Sequence, residues 1–331
     1  KAGAVVFGKT NLPLFGMDFQ SYNAVYGQTN NPWNVSRTPG GSSGGAAAAL
    51  AAGMSALDIG SDIGGSIRIP AHVCGVFGHK PTFNIVSMQG HFPFPGLQSR
   101  NGGMGEDMLV IGPLARSAKD IEQIMSLIAG PGKTERSAWR LALPPPRKAT
   151  LKDYRIGLWM DDPACPVDSR VGDCTQMFVD NLSRHAPHIA EQKPAVDFSK
   201  SHALYVKLAA AFNGSTLPDD VFTKIHAERK RLNGQANDGR AKFVRGAAQL
   251  HYEWMSLNRE RLRLQRQWAS FFREVDVLLM PVAPVAAFAH DHTPFYDRKL
   301  LVNGGEAPYA DTLYAWAGLS GVVYLPATVV P

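Results

Sequence analysis

Apolar positions recur with a readable period along most of the chain. Residues 117–129 set Ile121, Ile124, Met125 and Ile128 three and four apart, the spacing of one helix face, and predict a helix there. Residues 168–186 do the same with Val171, Cys174, Phe178 and Leu182. From residue 201 to 272 the pattern is mostly helical and polar, with one apolar stripe of Leu264, Trp268, Phe271, Phe272 and Val275. Arg259, Arg261, Arg263 and Arg266 lie opposite that stripe and read as a solvated face, not a nucleic-acid groove. Two short apolar runs read as strands: residues 4–7 (AVVF), taken as buried, and residues 154–160 (YRIGLWM). Residues 11–34, rich in Asn, Gly, Pro and aromatics, read as ordered loop. Residues 130–152 break the pattern, with Pro131-Gly132 and then three consecutive prolines from Pro144.

The stretch that departs most from these periods runs from residue 37 to 82. It holds two glycine-flanked serine turns, residues 40–45 (GGSSGG) and residues 60–66 (GSDIGGS). The segment between them opens with residues 46–52, almost all alanine, which favours helix because alanine loses no side-chain entropy there. Ser43 suits the cap at the start of that helix and Gly53 the position just past its end. The first turn is therefore expected to present hydroxyls and backbone N–H groups at a helix N-terminus, where partial positive charge gathers. A nucleophile, a proton relay and bare amides are what acyl transfer requires. Either turn alone reads as an ordinary linker; the two together around one helix, followed by Ile67-Arg68-Ile69-Pro70, do not.

Composition narrows the field without redirecting it. The chain has 331 residues, 45% of them hydrophobic and 19% charged, a globular balance able to bury a core. A net charge of +6 is mild for this length and gives no reason to expect a nucleic-acid partner. No apolar run reaches the ~20 residues that span a bilayer. Three cysteines (Cys74, Cys165, Cys174) form no disulfide framework and suit a reducing, cytoplasmic compartment, with a signal peptide left open. Residues 3–10 satisfy the phosphate-loop pattern G-x-x-x-x-G-K-T letter for letter, yet their interior reads as a strand, which removes the pliable loop that phosphate binding needs. His290 and His292 lack a third ligand at a recognisable spacing, so no metal site is expected. Lys80 and His79 follow Ser66 closely and read as structural.

The ordered series GKTNLP, YGQTNNPWN, GGSSGG, GSDIGGSIRIPA, CGVFGHKPT, GPLARSAKDI, DVLLMPVAP and LPATVVP resembles the amidase signature family, serine hydrolases with a Ser-Ser-Lys triad. The resemblance is close in the first third, fair in the last sixth and loose between. It implies an α/β fold, a mixed central β-sheet covered by helices on both faces, in one domain over residues 1–331. Within it, residues 1–129 would form the signature core, residues 130–272 a variable, mostly helical cap, and residues 273–331 a return to the core sheet. Ser66 corresponds to the nucleophile, and Ser42 to the relay serine that follows a cis peptide bond. Backbone amides of Ile63, Gly64, Gly65 and Ser66 correspond to the oxyanion hole, with Ser43, Asp62 and Arg68 in support. Residues 89–107 would line the acyl pocket and residues 75–87 would pack beneath the serine turns.

The family's base is a lysine several dozen residues before GGSSGG. The chain opens at Lys1 already inside the family's pattern, Lys9 belongs to the later GKTN segment, and Pro331 falls where the pattern continues. It therefore reads as an internal fragment with two of the three triad members. The implied activity is hydrolysis of a small-molecule amide through an acyl-enzyme, with no metal or organic cofactor; a homodimer is left open. A glutaminase-type component of a tRNA-dependent amidotransferase is the alternative. Its tyrosine-rich substrate segment and Arg-Arg-Ile helix are missing from the 201–272 region, which reads HYEWMSLNRERLRLQRQW. A non-catalytic relative is the third reading.

Overall fold

The computed structural model describes residues 3–91, 107–232, 236 and 238–331. These separate into two compact units, each built on its own sheet. The first takes residues 1–142, 287–295 and 324–331; the second takes residues 143–286 and 296–323.

In the first unit a small hairpin, β1 (Tyr22–Asn23) with β2 (Gly27–Gln28), precedes helix α1 (Gly44–Ala51). Strand β3 (Leu57–Asp62) then leads into the short helix α2 (Arg68–Cys74), which ends at a left-handed Gly75. Strands β4 (Phe77–Lys80) and β5 (Val110–Ala115) and helix α3 (Ala118–Ile128) follow. The sheet order is Ala327–Val329, β4, β5, β3, antiparallel throughout. All six residues of β5 are buried, as a central strand covered on both faces requires. Helix α1 packs on β3 and β5, α2 on β4, and α3 on β5 and β4. The predicted helix over 117–129 is α3, whose start is fixed by Ser117 accepting from the Asp120 N–H.

Residues 4–7 do not form the expected buried strand. They belong to no sheet among the described residues, and Val5, Val6 and Phe7 are exposed at 84%, 87% and 77%. Apolar composition sets strand propensity, but burial needs a partner strand, and no described segment pairs with this one. No helix starts at Lys9-Thr10, and the next helical turn is only Leu14–Gly16, so the phosphate-loop pattern has no structural counterpart.

The second unit has a parallel sheet in which β6 (Ile156–Leu158) lies between β7 (Ile189–Glu191) and β8 (Val277–Leu279). Helix α4 (Ser169–Ser183) connects β6 to β7, as parallel pairing demands. Helices α5 (Phe198–Ser215), α6 (Asp219–Arg231), α7 (Gly239–Ala247) and α8 (His251–Glu274) lie between β7 and β8, which is the helical stretch expected from residue 201 to 272. A hairpin of β9 (Lys299–Val302) and β10 (Gly305–Pro308) leads into α9 (Tyr309–Val322). Asp168, Asp197 and Asp238 cap α4, α5 and α7 with side-chain bonds to backbone amides. The core gathers Trp159, Phe198 and Trp316 in edge-on contact at 5.1–5.7 Å, with Trp268 beside them.

Of the expected stripe, Leu264, Trp268 and Phe271 on α8 and Val275 just past its end are buried and Phe272 is half-buried, but Arg261 is buried with them. Position 261 is three before Leu264 and seven before Trp268, so helical geometry places it on the apolar face. Its guanidinium donates to Asn258 Oδ1 and lies 5.8 Å over the Trp254 ring, while Arg259, Arg263 and Arg266 remain exposed. The solvated arginine face thus loses one member to the core. Both units mix strands and helices, and the chain is an α/β protein.

Candidate active site

The two serine turns lie side by side in the first unit. The Ser43 N–H donates to the Ser66 carbonyl at 3.0 Å, which ties one turn to the other. The Gly41–Ser42 peptide bond is cis. Ser42 and Ser66 are both buried. Ser43 occupies the first cap position of α1 but makes no side-chain cap bond there.

The helix N-terminus is not the array of bare amides that the sequence suggests. The Gly44 N–H donates to Ser21 Oγ at 3.0 Å, and the Gly45 N–H to the Asn11 carbonyl at 3.2 Å. Ser21 is buried, and its hydroxyl also lies 3.0 Å from the Gly40 carbonyl and 3.1 Å from that of Ser42. Neither Ser21 nor Asn11 carries a sequence signal for this role, since both sit in loop and act only after long-range folding. The turn Leu14–Gly16 comes equally close: a Cβ on Gly16 would stand 3.6 Å from Ser42 Oγ.

Asp62, at the end of β3, organises the second turn. Its Oδ1 accepts from the Gly65 N–H at 2.9 Å and Arg68 Nη2 at 2.7 Å. Its Oδ2 accepts from Ile67 N–H at 3.1 Å, Arg68 N–H at 3.2 Å and Arg68 Nε at 3.0 Å. The fork of Arg68 is therefore bidentate, and both side chains are buried. Burial alone would raise the Asp62 carboxyl, but the Arg68 charge and hydrogen bonds outweigh it and hold the group below its ordinary value.

This wiring sorts the loop's amides. Gly65, in a positive-φ conformation at 115°, turns its N–H inward to Asp62 and so is not free to receive an oxyanion. The N–H groups of Gly64 and Ser66 find no protein acceptor among the described residues. Of the expected donors Ile63, Gly64, Gly65 and Ser66, Gly65 is committed elsewhere.

Lys80 and His79 lie on β4. Lys80 is 1% exposed, and its ammonium donates to the Pro81 carbonyl at 3.2 Å. Burial, then the Arg68 charge, push it down to about 7, with Asp62 opposing. Burial and Lys80 push His79 down to about 4. Among the described residues no three His, Cys, Asp or Glu side chains come together to hold a metal ion; the His292 ring stacks on Tyr22 at 4.1 Å. Most of the expected pocket loop over residues 89–107 lies outside the described residues. No described helix is long and apolar enough to cross a membrane.

A chain with paired serine turns, the second organised by an aspartate, and an α/β frame has recognisable relatives. The family model described as Amidase matches residues 1–331, and the chain belongs to that family. It is 32% identical to a glutamyl-tRNA(Gln) amidotransferase subunit from Thermus thermophilus, over 99% of this chain and 69% of that one. The same subunit from Cyanothece sp. is 31% identical over 87% of this chain, and the chain spans 62% of that relative's length. A solved bacterial aryl acylamidase of the amidase signature family is similar in fold, with a TM-score of 0.73 at 22% identity over 98% of this chain and 65% of that one.

Proposed function

We propose that the chain hydrolyses a carboxylic amide through a covalent intermediate on Ser66. Ser66 Oγ attacks the carbonyl carbon while its proton passes to Ser42, and from Ser42 to the lysine that the family resemblance places before this sequence. The oxyanion is received by the Gly64 and Ser66 amides, with Gly65 held back by Asp62. Collapse of the tetrahedral intermediate breaks the C–N bond, the amine leaves with the relayed proton, and water then cleaves the acyl-serine to the free acid. One observation carries this reading: Asp62 binds the N–H groups of Gly65, Ile67 and Arg68 and so leaves donors unoccupied on the turn that bears a buried serine.

The glutaminase-type reading is favoured by the 31–32% identity to the two amidotransferase relatives. It keeps the same serine chemistry and changes the amide to glutamine.

The test is labelling of the full-length protein with a fluorophosphonate, followed by assays on a simple anilide and on glutamine. The parent is expected to label, Ser66→Ala not at all, and Ser42→Ala slowly, because nucleophile and amides survive in the last. Persistent labelling of Ser66→Ala would move the nucleophile elsewhere. Turnover of glutamine alone would replace the stand-alone amidase reading with the glutaminase one.

A further inference from the structure

The register of the first sheet puts Lys80 and Asp62 on one face. Lys80 lies two residues from Gly78, which pairs with Leu114; Gly112, two along from Leu114, pairs with Gly60, and Asp62 is two along again. That face is covered at contact distance. A Cβ on Gly60 would lie 2.6 Å from Ser43 Oγ and 3.2 Å from the Ile67 side chain, and one on Gly78 would lie 2.7 Å from the Ala71 Cβ. Asp62 and Lys80 are therefore packed between the sheet and the two serine turns, out of reach of water.

The charges in this layer do not cancel. Arg68 neutralises Asp62 through two direct side-chain bonds, and the only hydrogen bond of the Lys80 ammonium among the described residues goes to a neutral carbonyl. The neighbouring elements bring little else. Strand β5 and residues 327–329 carry no titratable side chain, and α1 carries none. Helix α2 adds His72 and the buried Cys74 thiol, which burial pushes up to about 12 and so keeps neutral. Strand β3 adds Asp58 at its far end, and α3 turns Lys119 and Glu122 to solvent and holds Asp120 on the hydroxyl of Ser117. His79 is next to Lys80 on its own strand and is held neutral by burial and by Lys80 itself.

We propose that Lys80 is a positioning residue for the nucleophile turn: acting through Asp62 and Arg68, its ammonium sets the net charge behind the amides that receive the oxyanion. With the proton on Lys80 the layer carries one net positive charge; without it the layer is neutral. A buried cation behind those amides favours the anionic transition state over the neutral substrate. Because burial and Arg68 bring Lys80 down to about 7, that charge is lost on going from neutral to mildly alkaline pH.

The inference rests on the Ser66 acyl-enzyme reading, and the experiment separates the two. The rate of Ser66 acylation by a fluorophosphonate is measured from about pH 6 to about pH 9 in the full-length parent, Lys80→Arg and Lys80→Met. The parent is expected to show an alkaline decline. Lys80→Arg, permanently charged, should keep the neutral-pH rate within about threefold and lose the decline. Lys80→Met should be about tenfold slower at the low end, also without a decline. A decline that persists in Lys80→Arg, or Lys80→Met acylating at the parent's rate, overturns the proposal for Lys80 alone. A parent that does not label overturns the acyl-enzyme reading and the Lys80 role with it. Should Lys80→Met fail to fold, the presence or loss of the decline in Lys80→Arg decides.

Discussion

Asp62 bears more of the candidate site than either serine, because five hydrogen bonds converge on one carboxylate. Replacing it with Asn removes the charge but keeps the shape, and strands the Arg68 guanidinium in the interior. We expect Asp62→Asn to lose about 3–5 kcal/mol of stability, read by thermal or denaturant melting. The carboxyl is depressed in the folded state, so its stabilisation is present above the unfolded carboxylate value and fades as pH falls through the folded one. The acid side of the stability curve should therefore flatten in the variant relative to the parent. Lys80 gives a slope of the same sign at higher pH, although there burial disfavours the charged form. Its folded value of about 7 lies below the ordinary 10.5, so between these limits the unfolded chain binds the extra proton and parent stability rises with pH. Lys80→Met should remove that rise, on the order of a few kcal/mol. Equal pH slopes in parent and variant would contradict the buried-lysine account.

At this scale the pairing of the two serine turns was legible from the glycines around them, and the Asp62–Arg68 ion pair from the opposite charges flanking the second turn, whereas the roles proposed for Ser42 and Ser66 come from the family resemblance. The direction of each amide was not, because it depends on backbone angles such as the 115° φ of Gly65. Nor was Ser21, whose partners become neighbours only when residues 11–21 fold against the first serine turn.

Among the elements, the long-period signals held and the short ones divided: residues 154–160 contain strand β6, whereas residues 4–7 form no strand. Helices α3 and α4 follow their apolar spacing, since several turns of regular period leave few alternative packings. Residues 4–7 failed because a four-residue run says nothing about which strand, if any, covers it. Arg261 was assigned to solvent on residue type, although its position on the α8 stripe argued for burial. Arg261→Ala should destabilise by about 1–3 kcal/mol through lost packing and an unpaired Asn258, whereas Arg263→Ala, at an exposed position, should stay within about 0.5 kcal/mol. Paired melting curves measure the contrast, and equal effects would show that the buried guanidinium contributes nothing.

For the whole molecule, α/β class and family membership were readable because the motifs recur in order along the chain. The chain's path between the units was less so. Of residues 273–331, which the sequence suggested would return to the core sheet, residues 287–295 and 324–331 belong to the first unit and the remainder to the second. Both serine turns, Asp62, Arg68 and Lys80 fall in the first unit, so the proposed chemistry draws on one sheet and its helices. The most direct test traps the intermediate itself: the full-length protein is quenched with acid during turnover of a simple amide, and its peptides are weighed. The account predicts the acyl mass on the peptide bearing Ser66, absent from Ser66→Ala. Turnover with no acyl adduct, or with the adduct on another residue, would contradict it.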